Sequence, residues 1–196
     1  APQIDRAAVE QELFKTEMKN LHMYGYGLKS MMLSMIETAC RITGGKENLH
    51  CAEEIIRLGQ ELLQKPVTLL DGVEDVLLQL QGKYKLVLAT KGDLFDQKRK
   101  VMDSGLVRYF CHIEIMSDKK EADYQKLLNT MGCAPQNFLM LGNSIKSDIL
   151  PILNLGGYVA HIPYHITWQY ENHEGNVTHP NFLQLKNIKD IIGYLL

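Results

Sequence analysis

Leu86-Val87-Leu88-Ala89-Thr90-Lys91-Gly92 is an apolar run that closes on a hydroxyl, a lysine and a glycine, with Asp93 following where a helix starts. A short continuous apolar run bounded in this way reads as a buried strand of a parallel sheet. Open α/β sheets bind their ligands at the carboxyl ends of such strands. A hydroxyl there, next to the backbone N–H groups that open a helix, makes a pocket suited to a phosphate or another anion.

Downstream of this strand the same unit recurs. A helix over 93–104 is closed by Gly105, and a strand follows over 111–117. Next come a helix over 121–131 closed by Gly132, a strand over 137–142, a helix over 147–155 closed by Gly156-Gly157, and a strand over 158–162. Glycine just past a helix takes the left-handed conformation that ends it. Strand starts recur at roughly 20–27 residues, the spacing of right-handed βαβ crossovers. A last amphipathic helix is expected over 185–196. This half of the chain reads as a doubly wound parallel sheet of Rossmann-like type.

Upstream the period differs. Val9, Leu13, Phe14, Met18 and Leu21 form one helical stripe, with Asp5 placed to cap it. Tyr24-Gly25-Tyr26-Gly27 breaks the pattern, and Leu28, Met31, Met32, Met35, Ile36, Ala39 and Ile42 then step along a second helix. The methionines read as gap-filling core between helices. A third helix runs from about 48 to 64, where Pro66 stops it, and Asp71-Gly72 opens a short fourth one. Residues 1–65 therefore read as a small all-helical domain and residues 66–196 as the α/β core.

The chain has 196 residues, 45% hydrophobic and 22% charged, which is enough to bury a sizeable core. A net charge of −2 with no basic block gives no argument for nucleic acid or an anionic membrane. No apolar run approaches the ~20 residues needed to span a bilayer. Four cysteines without a C-x-x-C pair read as reduced thiols, and a cytoplasmic location is expected.

The strand ends converge chemically. Thr90 follows the first, Ser117-Asp118-Lys119-Lys120 the second, and Gly142-Asn143-Ser144 the third, with Asp148 five residues beyond Asn143. A hydroxyl, a lysine and an Asn/Asp pair thus share one edge of one sheet. His161, His165, His173 and His179 show no compelling metal-ligand spacing. The stretch 169–181 reads as a loop contacting the helical domain, with Trp168 and Tyr170 as anchors.

The series LVLATKG, SDKKEADYQKLL and GNSIKSDI resembles motifs II, III and IV of the haloacid dehalogenase-like (HAD) hydrolase superfamily. The stretch ILPILNLGGYVAHIPYHITW is similar to the segment after motif IV in its phosphatase-like members, so that the resemblance covers about residues 68–170. The helical domain resembles the C1-type cap that these enzymes insert between motifs I and II. The resemblance implies a metal-binding, Mg²⁺-dependent phosphomonoester hydrolase acting through an aspartyl-phosphate. By the same resemblance Thr90 donates to the phosphate, helped by the N–H groups of Lys91 and Gly92. Lys119 neutralises the transferring group and holds the nucleophile, while Asn143 and Asp148 hold the metal. The first of those two positions is commonly Asp in the family, and asparagine there removes one negative charge. The implied partner is a small phosphorylated metabolite, with a homodimer as a further expectation.

The family's nucleophile lies in a D-x-D element closing the first strand, ahead of the cap. No such element exists in these residues; Asp93 with Asp96 and Asp71 with Asp75 have the wrong spacing. Either an upstream segment carries the strand and its aspartates, or the chain is a non-catalytic relative. A protein of only these residues is expected to hydrolyse nothing. A 2-haloacid dehalogenase on the same scaffold and a receiver-like binding module are the rival readings.

Overall fold

A computed structural model describes residues 5–45, 48–166, 168–173 and 175–196. Residues 1–4, at the start of the expected helical domain, and Thr167, in the stretch resembling the family after motif IV, lie outside the described residues. Two compact units emerge, one of residues 1–68 with 90–105, the other of residues 69–89 with 106–196.

The first unit contains three long helices, α1 (Arg6–Tyr24), α2 (Leu28–Thr43) and α3 (Asn48–Gln64). Asp5 caps α1, its carboxylate accepting from the N–H of Ala7. The apolar stripe of α1 is only half-buried. What α1 and α2 bury fully is Thr16, Asn20, Ser34 and Thr38. Thr16 and Thr38 each donate a hydroxyl to the carbonyl four residues back, at 2.9 and 2.7 Å, and so bring no unpaired donor into the seam. Asn20 Nδ2 donates to Ser34 Oγ and to Glu37 Oε2. Arg41 and Lys19 complete an ion-pair group with Glu12 and Glu37 along its edge.

The expectation of a methionine core therefore needs correction. Met31 is 43% exposed and Met32 and Met35 are half-buried, because small side chains bring α1 and α2 together. On the other side of α2, Gly59 of α3 is buried where any Cβ would meet the Met32 thioether.

The same unit holds α5 (Leu94–Asp103). Asp93 caps it, accepting from the N–H of Asp96, and is itself paired with Lys29 at 3.0 Å. Asp96 is 3% exposed, yet its two oxygens accept from Arg99 and Lys100, both at 2.8 Å.

The second unit is α/β. Its elements are α4 (Val73–Leu80), the Val87–Ala89 part of β1 (Val87–Lys91), β2 (His112–Met116) and α6 (Glu121–Met131). They continue through β3 (Leu139–Gly142), α7 (Leu150–Asn154), β4 (Tyr158–His161), β5 (Phe182–Gln184) and α8 (Ile192–Leu195). β3, β4 and β5 form a parallel sheet in that order, with Met140 opposite Val159 and Val159 opposite Phe182. β1 and β2 form a separate pair.

Two hydrophobic layers cover the strands. One gathers Met116, Tyr124, Leu127, Met140, Ile149, Ile152 and Val159 with Val87 and Ala89; the other gathers Val76, Leu80, Ala160, Leu185 and Ile191 with Leu86, Leu139 and Leu141. Alternate residues of β3 thus enter opposite layers, as strand pleating requires, while Val87 and Ala89 of β1 share one face. Both sheets contribute to the first layer, and Leu86, just ahead of β1, reaches the second, although no ladder joins β1 to β3 among the described residues.

Two expected elements differ. The helix placed over 147–155 starts earlier, as a wide turn over Ile145–Ile149 in which the N–H groups of Asp148 and Ile149 both reach the Ser144 carbonyl, and α7 proper follows it. Pro151 sits in the first turn of α7, where its missing N–H costs nothing. The helix placed over 185–196 is mostly replaced. Leu185 instead extends the β4–β5 pairing, donating to the His161 carbonyl at 2.9 Å. Asn187 and Asp190 then cap a tight turn over Ile188–Ile191, which leaves only the short α8.

Burial opposes ionisation of Asp96, but its bonds to Lys100 and Arg99 outweigh it and lower its pKa below the ordinary 3.8. The unfolded chain therefore takes up this proton first, so the stabilisation is present above 3.8 and fades as pH falls through the lower folded value. Asp96→Asn is expected to cost about 1–3 kcal/mol near neutrality, its partners being half-exposed. Urea denaturation should show the gap to wild type closing in acid.

Candidate active site

The second unit brings two of the residues singled out from the sequence into direct contact. Lys119 lies in the loop between β2 and α6, and Asp148 in the turn after β3. Lys119 Nζ donates to Asp148 Oδ1 at 2.7 Å, with side chains 10% and 6% exposed. A charge this far from water persists only with a partner and further hydrogen bonds. Asp148 Oδ2 supplies one, accepting from the N–H of Ser144 at 3.0 Å.

The neighbouring lysine turns outward. Lys120 precedes α6, pairs with Asp118 at 2.9 Å and is largely exposed; the bond to Asp118 raises its pKa. Asp118 also accepts from the N–H of Lys119 and so fixes the loop between them.

Two residues beneath the pair constrain it. Gly142 closes β3, and a Cβ there would lie 2.3 Å from Asp148 Oδ2 and 2.4 Å from Asp148 Cβ. Only glycine leaves room for the carboxylate. Tyr124 of α6 is fully buried and donates its hydroxyl to the Ser147 carbonyl at 3.0 Å. Burial first, then the charge of Asp148, push its pKa far above the ordinary phenol value, so it stays a neutral donor.

Asn143 sits at the end of β3 with its side chain exposed, while its carbonyl accepts from His161 Nε2 at 3.0 Å. The segment after β4 supplies residues that the sequence reading missed. Within this unit it lies against the turn that carries Asp148. The Ser144 and Ser147 hydroxyls both donate to Glu171 Oε2, and Lys146 Nζ donates to the Tyr170 carbonyl at 3.2 Å while standing 3.3 Å from the centre of its ring. Glu171 lies well beyond Asp148 in the chain with no spacing rule to link them, so nothing in the linear pattern marks it.

Thr90, Lys91 and Gly92 belong to the first unit. Thr90 Oγ1 donates to Gln97 Oε1 at 2.9 Å. Gly92 has φ 148°, a backbone state open to glycine, and a Cβ there would press on the Gln97 side chain. Lys91 Nζ lies 4.1 Å from the centre of the Tyr26 ring. Gly27, next to Tyr26, packs on Asp93. The turn between α1 and α2 thus stands beside the loop that follows Thr90.

No group of three or more His, Cys, Asp or Glu side chains suited to a metal exists among the described residues. The set at the end of β3 is one buried carboxylate, Asp148, with the exposed amide of Asn143 near it in sequence. That donor set suits a hard cation such as Mg²⁺, which keeps several waters and needs only one or two carboxylates when a substrate phosphate completes its shell. Among the described residues no helix is long and apolar enough to cross a membrane.

The model of the haloacid dehalogenase-like hydrolases matches residues 11–156. The N-acylneuraminate-9-phosphatases of Mus musculus and Homo sapiens are 28% and 26% identical over 148 residues, covering 72% of this chain and 60% of theirs. The chain thus spans less than two thirds of the length of these relatives. The crystal structure of a haloacid dehalogenase-like family hydrolase from Xanthomonas campestris is 33% identical with a TM-score of 0.85, over 95% of this chain and 76% of that one.

Lys119→Met strands a buried carboxylate and is expected to cost about 3–5 kcal/mol. Adding Asp148→Asn should recover most of that loss in the same urea titration.

Proposed function

The chain belongs to the haloacid dehalogenase-like hydrolases, a family whose model matches most of its length, and from that premise we propose a Mg²⁺-dependent phosphomonoesterase acting on a small phosphorylated metabolite. The observation that carries the reading is the buried Lys119–Asp148 pair at the ends of two neighbouring chain segments of the α/β unit. Phosphoryl transfer asks little of a protein except placement and charge neutralisation, and a desolvated ammonium supplies the charge.

In this proposal a carboxylate oxygen attacks phosphorus in line, the ester P–O bond breaks, and the leaving alkoxide takes a proton from solvent to depart as the alcohol. Water then attacks the acyl phosphate, releasing inorganic phosphate and regenerating the carboxylate. Lys119 offsets the growing charge on the phosphoryl oxygens. Asp148 keeps Lys119 oriented between turnovers. Thr90 presents its hydroxyl, with the Lys91 and Gly92 amides, to a phosphate oxygen. Asp148 and Asn143 would hold the cation, which supplies electrostatic stabilisation when bound.

The attacking aspartate is not among these residues. The break between β1 and β3 supports a place for it: both strands feed the first hydrophobic layer and neither forms a ladder with the other among the described residues. A strand ending in D-x-D would complete both ladders and bring its carboxylate to the strand ends. Reading the open frame upstream of the Ala1 codon tests this. An apolar run closing on D-x-D supports the enzyme, and its absence leaves a binding module.

The three helices of the first unit are proposed as a cap that selects substrate, residues 1–65 of the chain. Tyr26 beside Lys91 supports that role, as an aromatic face and an ammonium are together suited to a polar, anionic metabolite. Phosphorylated sugars come first, N-acylneuraminate 9-phosphate among them, since that is the substrate class in the relatives' name.

Phosphate release from a panel of sugar phosphates by the protein with its upstream D-x-D strand, with and without magnesium, checks the reading. Turnover that needs the cation is expected, and Lys119→Met should lower it at least ~10³-fold. Turnover of a 2-haloacid without metal would favour the dehalogenase instead. Tyr26→Ala is expected to change the ratio of kcat/KM between two esters by about tenfold while leaving magnesium affinity unaltered.

A further inference from the structure

The wide turn Ile145–Ile149 is held both from within and from outside. The Asp148 and Ile149 N–H groups share the Ser144 carbonyl at 2.8 and 3.2 Å, and Ser144 Oγ accepts from the N–H of Ser147 at 2.9 Å. Turns of this i→i+5 kind are rare and occur largely at functional sites. The Leu150 N–H reaches the Ile145 carbonyl, and from outside come the Lys119 ammonium on Asp148, the Tyr124 hydroxyl from α6 and the segment Gln169–Glu171.

We propose that Glu171 is a positioning residue for the Lys119–Asp148 pair, acting through Ser144 and Ser147. The path is continuous. Glu171 Oε2 accepts from both serine hydroxyls, which sets the rotamer of Ser144 and the tilt of the turn. The Ser144 N–H then holds Asp148 Oδ2, and Asp148 Oδ1 holds the Lys119 ammonium. Ser144, Ser147 and Asp148 are all buried, so neither hydroxyl has bulk water to fall back on if the acceptor is lost. Lys146 reinforces the arrangement by clasping Tyr170, the residue before Glu171, through both its ring and its carbonyl.

A geometric detail shapes the test. Both hydroxyls address the same oxygen of Glu171, so glutamine, which keeps one oxygen of the same reach, can still accept from them. Leucine, of similar size, cannot.

The Lys119 ammonium is followed by ¹⁵N NMR in the intact protein, where an amine held in a buried ion pair exchanges slowly enough to be seen; Lys119→Met assigns the signal. Glu171→Leu is expected to abolish or broaden it and Glu171→Gln to retain it. The kinetic arm rests on the phosphatase reading and uses a sugar phosphate with magnesium. Glu171→Leu should lower kcat by about 10–100-fold, the usual effect of removing an outer-shell partner, with KM within about twofold. Glu171→Gln should return kcat to within about threefold of wild type. Ser144→Ala combined with Glu171→Leu should be no worse than the more damaging single change, since both cut one path.

An unmoved Lys119 signal in Glu171→Leu overturns the proposal, as does a fall in Tm with kcat intact. A Glu171→Gln protein as impaired as Glu171→Leu also overturns it, because the carboxylate charge rather than the path would then be at work. If Glu171→Leu does not fold, the Ser144→Ala, Ser147→Ala double variant removes the same two donors and is judged by the same signal. Wild-type protein that carries the upstream D-x-D strand and is inactive on every ester would refute the phosphatase reading, and the Lys119 signal would still decide the role of Glu171.

Discussion

The buried ammonium–carboxylate contact between Lys119 and Asp148 is the constraint to which the surrounding α/β unit conforms. Two charges withdrawn from water are tolerated only when the remaining lone pairs and protons are also used. That requirement explains features which look unrelated in sequence. Gly142 must lack a side chain, because the carboxylate occupies the space. Ser144 must present its N–H inward. Tyr124 must remain a phenol, because a phenolate would place a second negative charge against Asp148. Of two consecutive lysines one turns in and the other turns out, and Asp118 holds both at the branch point.

The sheet arrangement is the other constraint. A buried backbone donor or acceptor without a partner is costly, yet β1 and β3 share a hydrophobic layer without bonding each other among the described residues. Packing and pairing have come apart at this place. The apolar residues of the two strands bring them to one layer, whereas no ladder pairs them among the described residues. Such an interruption in the middle of a fold differs from an ordinary edge, which proteins blunt with charge or cover with a loop.

Much of this was legible from the chain alone, for reasons that can be named. The bounds of α4 and α6 were set by glycines whose left-handed backbone opens or stops a helix, and α5 by its aspartate cap. Lys119 and Asp148 stand out in the chain because strand ends in α/β proteins are where chemistry collects, and the fold brings those two into contact. β5 was missed because three residues in a polar stretch carry no period. Leu185, Ile188, Ile191 and Ile192 do have helical spacing, but the bonds from Asp190 to the Lys186 and Asn187 amides break the segment in two. The α1–α2 seam was misread because hydrophobic periodicity locates helices well and their contact faces less well. Threonines that return their hydroxyls to their own helix, as Thr16 and Thr38 do, pack like small apolar residues. Glu171 was beyond reach, as its role depends on a loop returning across the fold.

That seam gives the two units different thermal characters. The heat-capacity change of unfolding follows exposed apolar area and is offset by exposed polar area. The α/β unit releases two apolar layers when it melts. The helical unit releases Thr16, Asn20, Ser34 and Thr38 from its closest contact, together with a network of ion pairs along its rim. Its stability curve is therefore the flatter of the two. Cooling, which weakens apolar burial, takes less from the helices than from the sheet, so the balance of stability between the two units shifts with temperature within a single molecule.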